Sequence, residues 1–139
     1  MYLLGRYAER APRFRHPKGI DCLAVRDLLI RAPGVTYLEE SGCVVRGVAV
    51  WGSPWQPEFC DWAFNETRGS RMREKWARIP DRVDVLVTHG PPIGHGDRCQ
   101  SGHLAGCVDL LLAIQQRVRP QLHVFGHIHE GCVRRFVRT

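Results

Sequence analysis

Two histidines one residue apart close the run L-H-V-F-G-H-I-H-E at residues 122–130. Imidazole is the commonest protein metal donor, because its neutral form persists near physiological pH. Leu122, Val124 and Phe125 read as a short buried strand, Gly126 permits a turn, and His127 and His129 follow. A second stretch has the same grammar: residues 83–88, V-D-V-L-V-T, form a β-rich run that opens into His89-Gly90-Pro91-Pro92. Two buried strands, each ending in a histidine-bearing loop, predict neighbours in one sheet with a site at their carboxyl ends. For His127 and His129 the spacing leaves two readings open, metal ligands or hydrogen-bonded loop residues. His16, His95, His103 and His123 read as ordinary polar positions; His123 alternates with the apolar residues of its own strand.

The elements that must carry these residues belong to one soluble domain. A chain of 139 residues, 44% hydrophobic and 24% charged, can bury an ordinary small core. Its net charge of +6 comes from scattered arginines with a cluster at Arg134, Arg135 and Arg138. That charge attracts phosphates non-specifically, but no nucleic-acid motif accompanies it, so no specific nucleic-acid partner is expected. The six cysteines contain no C-x-x-C pair, the N-terminal apolar stretch at 2–4 is too short for a signal peptide, and the run at 110–114 cannot span a membrane. These features predict free thiols, a reducing cytoplasmic setting and no membrane association.

Along the chain, residues 1–20 mix Arg6, Arg10, Arg13 and Arg15 with Pro12 and Pro17 and read as a poorly ordered basic arm; residues 21–139 form the domain. Residues 21–31 predict a short helix that ends before Pro33-Gly34. Residues 35–38 read as a strand, and Gly42 separates them from a second run, 43–51. There Val44, Val48 and Val50 interleave with Arg46 and Gly47, a pattern that suits a hairpin. Phe59, Trp62 and Phe64 read as aromatics that fill a core or floor a pocket, with the core the preferred reading. Asn65 is placed to cap a helix over 66–77 with Met72 and Trp76 on one face. After a glycine-rich loop at 91–104, residues 106–119 predict the best helix, with Val108, Leu111, Leu112, Ala113 and Val118 inward and Pro120 as its stop. Residues 83–126 thus predict a parallel β-loop-α-β unit.

T-H-G-P-P at 88–92 and F-G-H-I-H-E-G at 125–131 resemble the last two metal motifs of the calcineurin-like metallophosphoesterases. G-S-P-W-Q-P-E-F at 52–59, W-A-F-N at 62–65 and G-C-V-D-L-L at 106–111 resemble more specifically its metallophosphoesterase-domain-containing subgroup, first noted in brain. The likeness covers roughly residues 35–131. It implies an α/β fold, here a partial metallophosphoesterase-type αββα sandwich, and a two-metal centre with ions about 3.5–4 Å apart. It further implies that His89 and His127 hold one ion and His129 the other, the ions being divalent Mn, Fe or Zn. The activity implied is hydrolysis of small phosphodiesters of the cyclic-nucleotide type.

The family's earlier motifs, Asp-x-His, Gly-Asp and Gly-Asn-His-Asp/Glu, have no counterpart here: Gly96-Asp97 matches in letters but not in position, and Asn65 is the only asparagine. The chain therefore reads as an internal or C-terminal part of the domain without its early metal-site strands. Three neutral imidazoles bring no negative charge to hold two cations together, so at most one ion is expected. Two further readings follow: a non-catalytic metal-binding or interaction protein, and a partial inactive product. Loss of early strands is also expected to leave the edges of 44–50 and 83–88 unpaired and to promote self-association.

Overall fold

Asp21 opens the described part of the chain as the N-cap of the first helix. The computed structural model describes residues 21–59 and 63–131. The proposed arm at 1–20, Trp62 and the arginine cluster at 134–138 lie outside these residues. The Asp21 carboxylate accepts from the backbone N–H of Leu23 at 3.0 Å and of Ala24 at 3.1 Å, satisfying donors that have no partner in the first helical turn. Helix α1 then runs Cys22–Arg31, as expected. Its Leu23, Val25, Leu28, Leu29 and Ile30 are all exposed.

The expected strand at 35–38 is absent; these residues run as irregular chain. A hairpin does form, centred on the second run and reaching two residues past each of its ends. Strands β1 (Ser41–Val45) and β2 (Val48–Ser53) pair antiparallel and turn at Arg46-Gly47, whose φ values are +50° and +84°. Two successive positive φ angles make the turn whose twist matches the strands it joins, and Gly47 accepts that conformation without a Cβ penalty. Period-2 apolar patterning marked the strands, and Arg46-Gly47 within the run supplied the turn.

Two very short strands, β3 (Gln56–Pro57) and β4 (Asn65–Glu66), form a separate parallel ribbon. Asn65 therefore sits in a strand and caps no helix. Helix α2 begins later, at Ser70–Ala77, with Gly69 as its N-cap, and buries Met72 and Trp76 as predicted. Strand β5 (Val85–Thr88) follows, then the glycine-rich loop, then α3 (Val108–Ala113). The last turns of that helix, at Ile114–Val118, widen: the Arg119 N–H reaches Ile114 O at 2.9 Å, an i→i+5 bond, and Arg119 itself turns left-handed with φ +45°. Strand β6 (Leu122–Val124) completes the sheet.

The four-stranded sheet has the order β1-β2-β5-β6, with β2, β5 and β6 parallel and β1 antiparallel at one edge. The expected parallel β-loop-α-β unit is present, and the fold is α/β. Strands β2 and β5 each have neighbours on both sides, so the expectation of unpaired edges fails at 48–50 and 85–88; among the described residues the edge strands are β1, which holds 44–45, and β6. On one face, Leu86 lies in register with Trp51 and His123, and that face meets Met72, Trp76, Leu110 and Val118 to form the core. The inward face of α3 differs from the expectation: Leu110 is buried while Val108 and Leu112 are exposed. Leu110, Ile114 and Val118 recur every four residues, and the widened turn keeps that spacing on one line. On the opposite sheet face Val87, Leu122 and Val124 remain exposed. Among the described residues no helix is long and apolar enough to cross a membrane, and Cys43, Cys99 and Cys107 are free.

Candidate functional site

The carboxyl ends of β2, β5 and β6 are tied together by backbone hydrogen bonds that converge on His89. Its N–H donates to Ser53 O at 3.3 Å, and its carbonyl accepts from Gly126 N–H at 3.0 Å. This clamp prolongs the sheet by one residue beyond β5 and fixes where the His89 side chain starts. The parallel register that aligns Val87 with Val124 brings the loop after β6 alongside it. His89 Nε2 and His127 Nδ1 consequently lie 3.0 Å apart, with ring centroids at 4.7 Å and planes tilted by 50°.

His127 reaches this position through an unusual backbone. Its φ is +73°, and the Ile128 N–H closes onto Gly126 O at 3.0 Å, a three-residue γ-turn with His127 at its centre. A left-handed non-glycine residue costs on the order of 1–3 kcal/mol and persists where surroundings over-determine it, typically at functional sites. The sequence reading assigned the turn's freedom to Gly126; the structure places the positive φ on the histidine itself. His129 begins a single 3-10 turn, His129–Gly131, and is exposed. Gly131 packs so closely on the backbone of Gly96 that a Cβ there would clash with Gly96 O. This contact anchors the turn to the glycine-rich loop.

Both facing imidazoles are held neutral. Burial lowers the pKa of His89, and burial followed by the neighbouring charges of His89 and His129 lowers that of His127. His89 and His127 are thus in contact, with His129 in electrostatic reach of His127, while no group of three potential ligands converges among the described residues. Asp97, the letter-match to a family ligand, is buried elsewhere: its Oδ2 accepts from Gly94 N–H at 3.0 Å and Gly106 N–H at 3.2 Å and staples the loop.

One neighbour of the pair is an aromatic that the sequence reading preferred to place in the core. The Phe59 ring meets that of His127 edge-on, with centroids 5.3 Å apart and planes at 84°. Phe59 is 46% exposed and does not belong to the core. Its carbonyl accepts from Asn65 Nδ2 at 2.9 Å, while Asn65 Oδ1 accepts from Gln56 Nε2 at 3.0 Å, so the β3–β4 ribbon fixes the loop that brings Phe59 over the histidines. The aromatic spacing alone favoured the core because the F-x-x-W-x-F pattern at 59–64 does not distinguish a packed ring from a rim ring. His123 has a structural place, hydrogen-bonded to Thr88 beneath the site.

A donor pair beyond the carboxyl ends of two parallel strands lies where open α/β sheets place their ligand sites. The chain is 54% identical over 96 residues to the human and mouse metallophosphoesterase domain-containing protein 1, which covers 68% of this chain and 29% of those proteins. It is 49% identical over 109 residues to a UPF0046 protein of Caenorhabditis elegans, covering 78% of this chain and 27% of that protein. A second UPF0046 protein of that organism is 37% identical over 120 residues. No protein-family profile matches the chain. The chain belongs to the metallophosphoesterase-domain-containing family, and it spans 27% to 42% of the length of these relatives.

Proposed function

We propose that this chain carries the histidine half of a metallophosphoesterase centre and binds one divalent transition-metal ion through His89 and His127, with His129 beside them. The observation that carries this reading is the 3.0 Å approach of His89 Nε2 to His127 Nδ1. Two nitrogens bound to one ion at about 2.0–2.1 Å stand about 2.8–3.4 Å apart for angles from square to tetrahedral, so the donor separation suits a shared ion. The lowered pKa values leave both lone pairs available at neutral pH. Imidazole donors suit Mn, Fe or Zn, with Zn the best matched of the three to a nitrogen-rich set.

A second, carboxylate-bridged ion does not suit the described donor set, because nothing in it supplies the negative charge that offsets cation–cation repulsion. A single bound ion would supply Lewis-acid polarisation of a phosphoryl oxygen. The substrate class we assign is a small phosphodiester of the cyclic-nucleotide type, its hydrolysis requiring carboxylates beyond those described. The donor set present favours metal binding without turnover as the second reading. The partner we assign beyond substrate is a second copy of the chain, pairing through β1 or β6, the edge strands among the described residues, in a cytoplasmic setting.

The test is direct measurement of metal binding by the full chain. Elemental analysis after dialysis against Zn²⁺ or Mn²⁺ should give no more than one equivalent, and both His89→Ala and His127→Ala should lower calorimetric affinity at least tenfold. Wild-type protein that retains no metal, or retention unaffected by either substitution, refutes the reading.

A further inference from the structure

We infer that Phe59 is a positioning residue for the histidine pair, acting through His127; the inference rests on the metal-binding reading above. Metal-ligating histidines depend on a fixed ring orientation, and a group that sets it acts on affinity nearly as strongly as a ligand does. The backbone at His127 is a strained γ-turn that fixes the Cα but leaves the χ angles to be set by contacts. Phe59 supplies such a contact. Its ring stands at 84° to the imidazole, the edge-to-face arrangement favoured by the aromatic quadrupole and worth about 0.5–1.5 kcal/mol beyond area burial. That arrangement restricts rotation of the imidazole about its Cβ–Cγ bond, and so holds Nδ1 towards His89 rather than letting Cδ2, a carbon that cannot ligate, take its place.

The loop has the features of a device for placing one ring. Asn65 grips the Phe59 carbonyl, Gln56 grips Asn65, and Glu58 N–H bonds Glu66 O at 3.0 Å, so both sides of the ribbon hold the segment that ends in Phe59. Those bonds are costly to arrange for a residue that is 46% exposed and adds little to the core. They hold the ring where it meets His127 edge-on.

The experiment compares wild type, Phe59→Ala, Phe59→Leu and Phe59→Tyr as full chains, titrated with Co²⁺ and followed by visible absorption. Phe59→Ala and Phe59→Leu should each weaken Co²⁺ binding about tenfold and alter the absorption envelope, with the melting temperature nearly unchanged. Phe59→Tyr, which keeps the ring edge, should restore both. Full affinity in Phe59→Leu, or the same loss in Phe59→Tyr as in Phe59→Ala, overturns the inference. A wild type that binds no Co²⁺ overturns the metal reading instead. In that case the inference is decided by the His127 ring-proton resonances, which should lose the Phe59 ring-current shift in Phe59→Leu if the contact orients the imidazole and stay unmoved if it does not.

Discussion

Thr88 Oγ1 and His123 Nε2 stand 2.8 Å apart on the neighbouring parallel strands β5 and β6, just beneath the candidate site. Thr88 donates its single hydroxyl proton to Gly90 O at 2.8 Å, so the imidazole must be the donor to Oγ1 and carries its proton on Nε2. Burial, and then the nearby charge of His95, hold the His123 pKa down at about 4, from an ordinary value of 6.5. The folded state therefore keeps His123 neutral where the unfolded chain protonates it. Its stabilising effect is complete above pH 6.5 and is lost as pH falls through about 4, on the order of 3 kcal/mol across that window. Denaturant melts at pH 7 and pH 4.5 should show this loss, and His123→Gln should flatten it.

Thr88→Val keeps the shape of a side chain that is only 4% exposed but removes both hydrogen bonds. It leaves the His123 N–H and the Gly90 carbonyl unpaired, at a cost of about 1–3 kcal/mol. A urea midpoint indistinguishable from wild type would show that solvent satisfies both groups.

Arg117 closes the end of α2 from a distant part of the chain. Its guanidinium donates to Ile79 O, to Trp76 O at 2.7 Å and to Asp81 Oδ1 at 2.6 Å. Trp76 O lies in the last turn of the helix, where it also accepts from the backbone N–H of Ile79 at 3.2 Å, and Ile79 follows the helix end; a cation there complements the helix dipole. Arg117→Ala should destabilise the fold by about 1–2 kcal/mol, whereas Asp81→Asn, at an exposed carboxylate, should have little effect. Matching losses in the two variants would shift the credit from the carbonyls to the ion pair.

Metal affinity should depend on pH in the direction set by the lowered pKa values of His89 and His127. Because both rings are already neutral at pH 7, affinity should change little from pH 8 to 7 and fall only below the ordinary histidine range. A calorimetric series across pH 8 to 5 measures this. Steep loss already between pH 8 and 7 would mean that the rings are protonated more readily than their burial implies.

Catalysis separates a binding chain from a complete enzyme. In-line attack on a phosphodiester needs the developing charge stabilised on entering and leaving oxygens, and losing each such contact costs about 10²–10³ in rate. Turnover of a chromogenic phosphodiester should therefore stay barely above background even with added Mn²⁺, and His127→Ala and His129→Ala should change that small rate little. Robust turnover abolished by both substitutions would show that the chain assembles a full centre.

Local sequence determined the parts of this protein that depend on residue type within a few positions. Asp21 caps α1, Met72 and Trp76 face inward from α2, and the apolar runs before His89 and His127 become parallel strands, because periodicity and capping act over single turns and single pleats. The two histidine motifs were equally legible. What local pattern did not contain was any quantity set by contacts between distant segments. The four-residue line of Leu110, Ile114 and Val118 exposed Val108 and Leu112. Register between β5 and β6 set the 3.0 Å separation of His89 from His127, and the Asn65–Phe59 bond brought an aromatic ring from 68 residues upstream onto His127. Those distances follow from strand pairing and loop anchoring across the whole sheet, which only the packed chain can fix, since each one-residue change of register would turn every side chain to the other face.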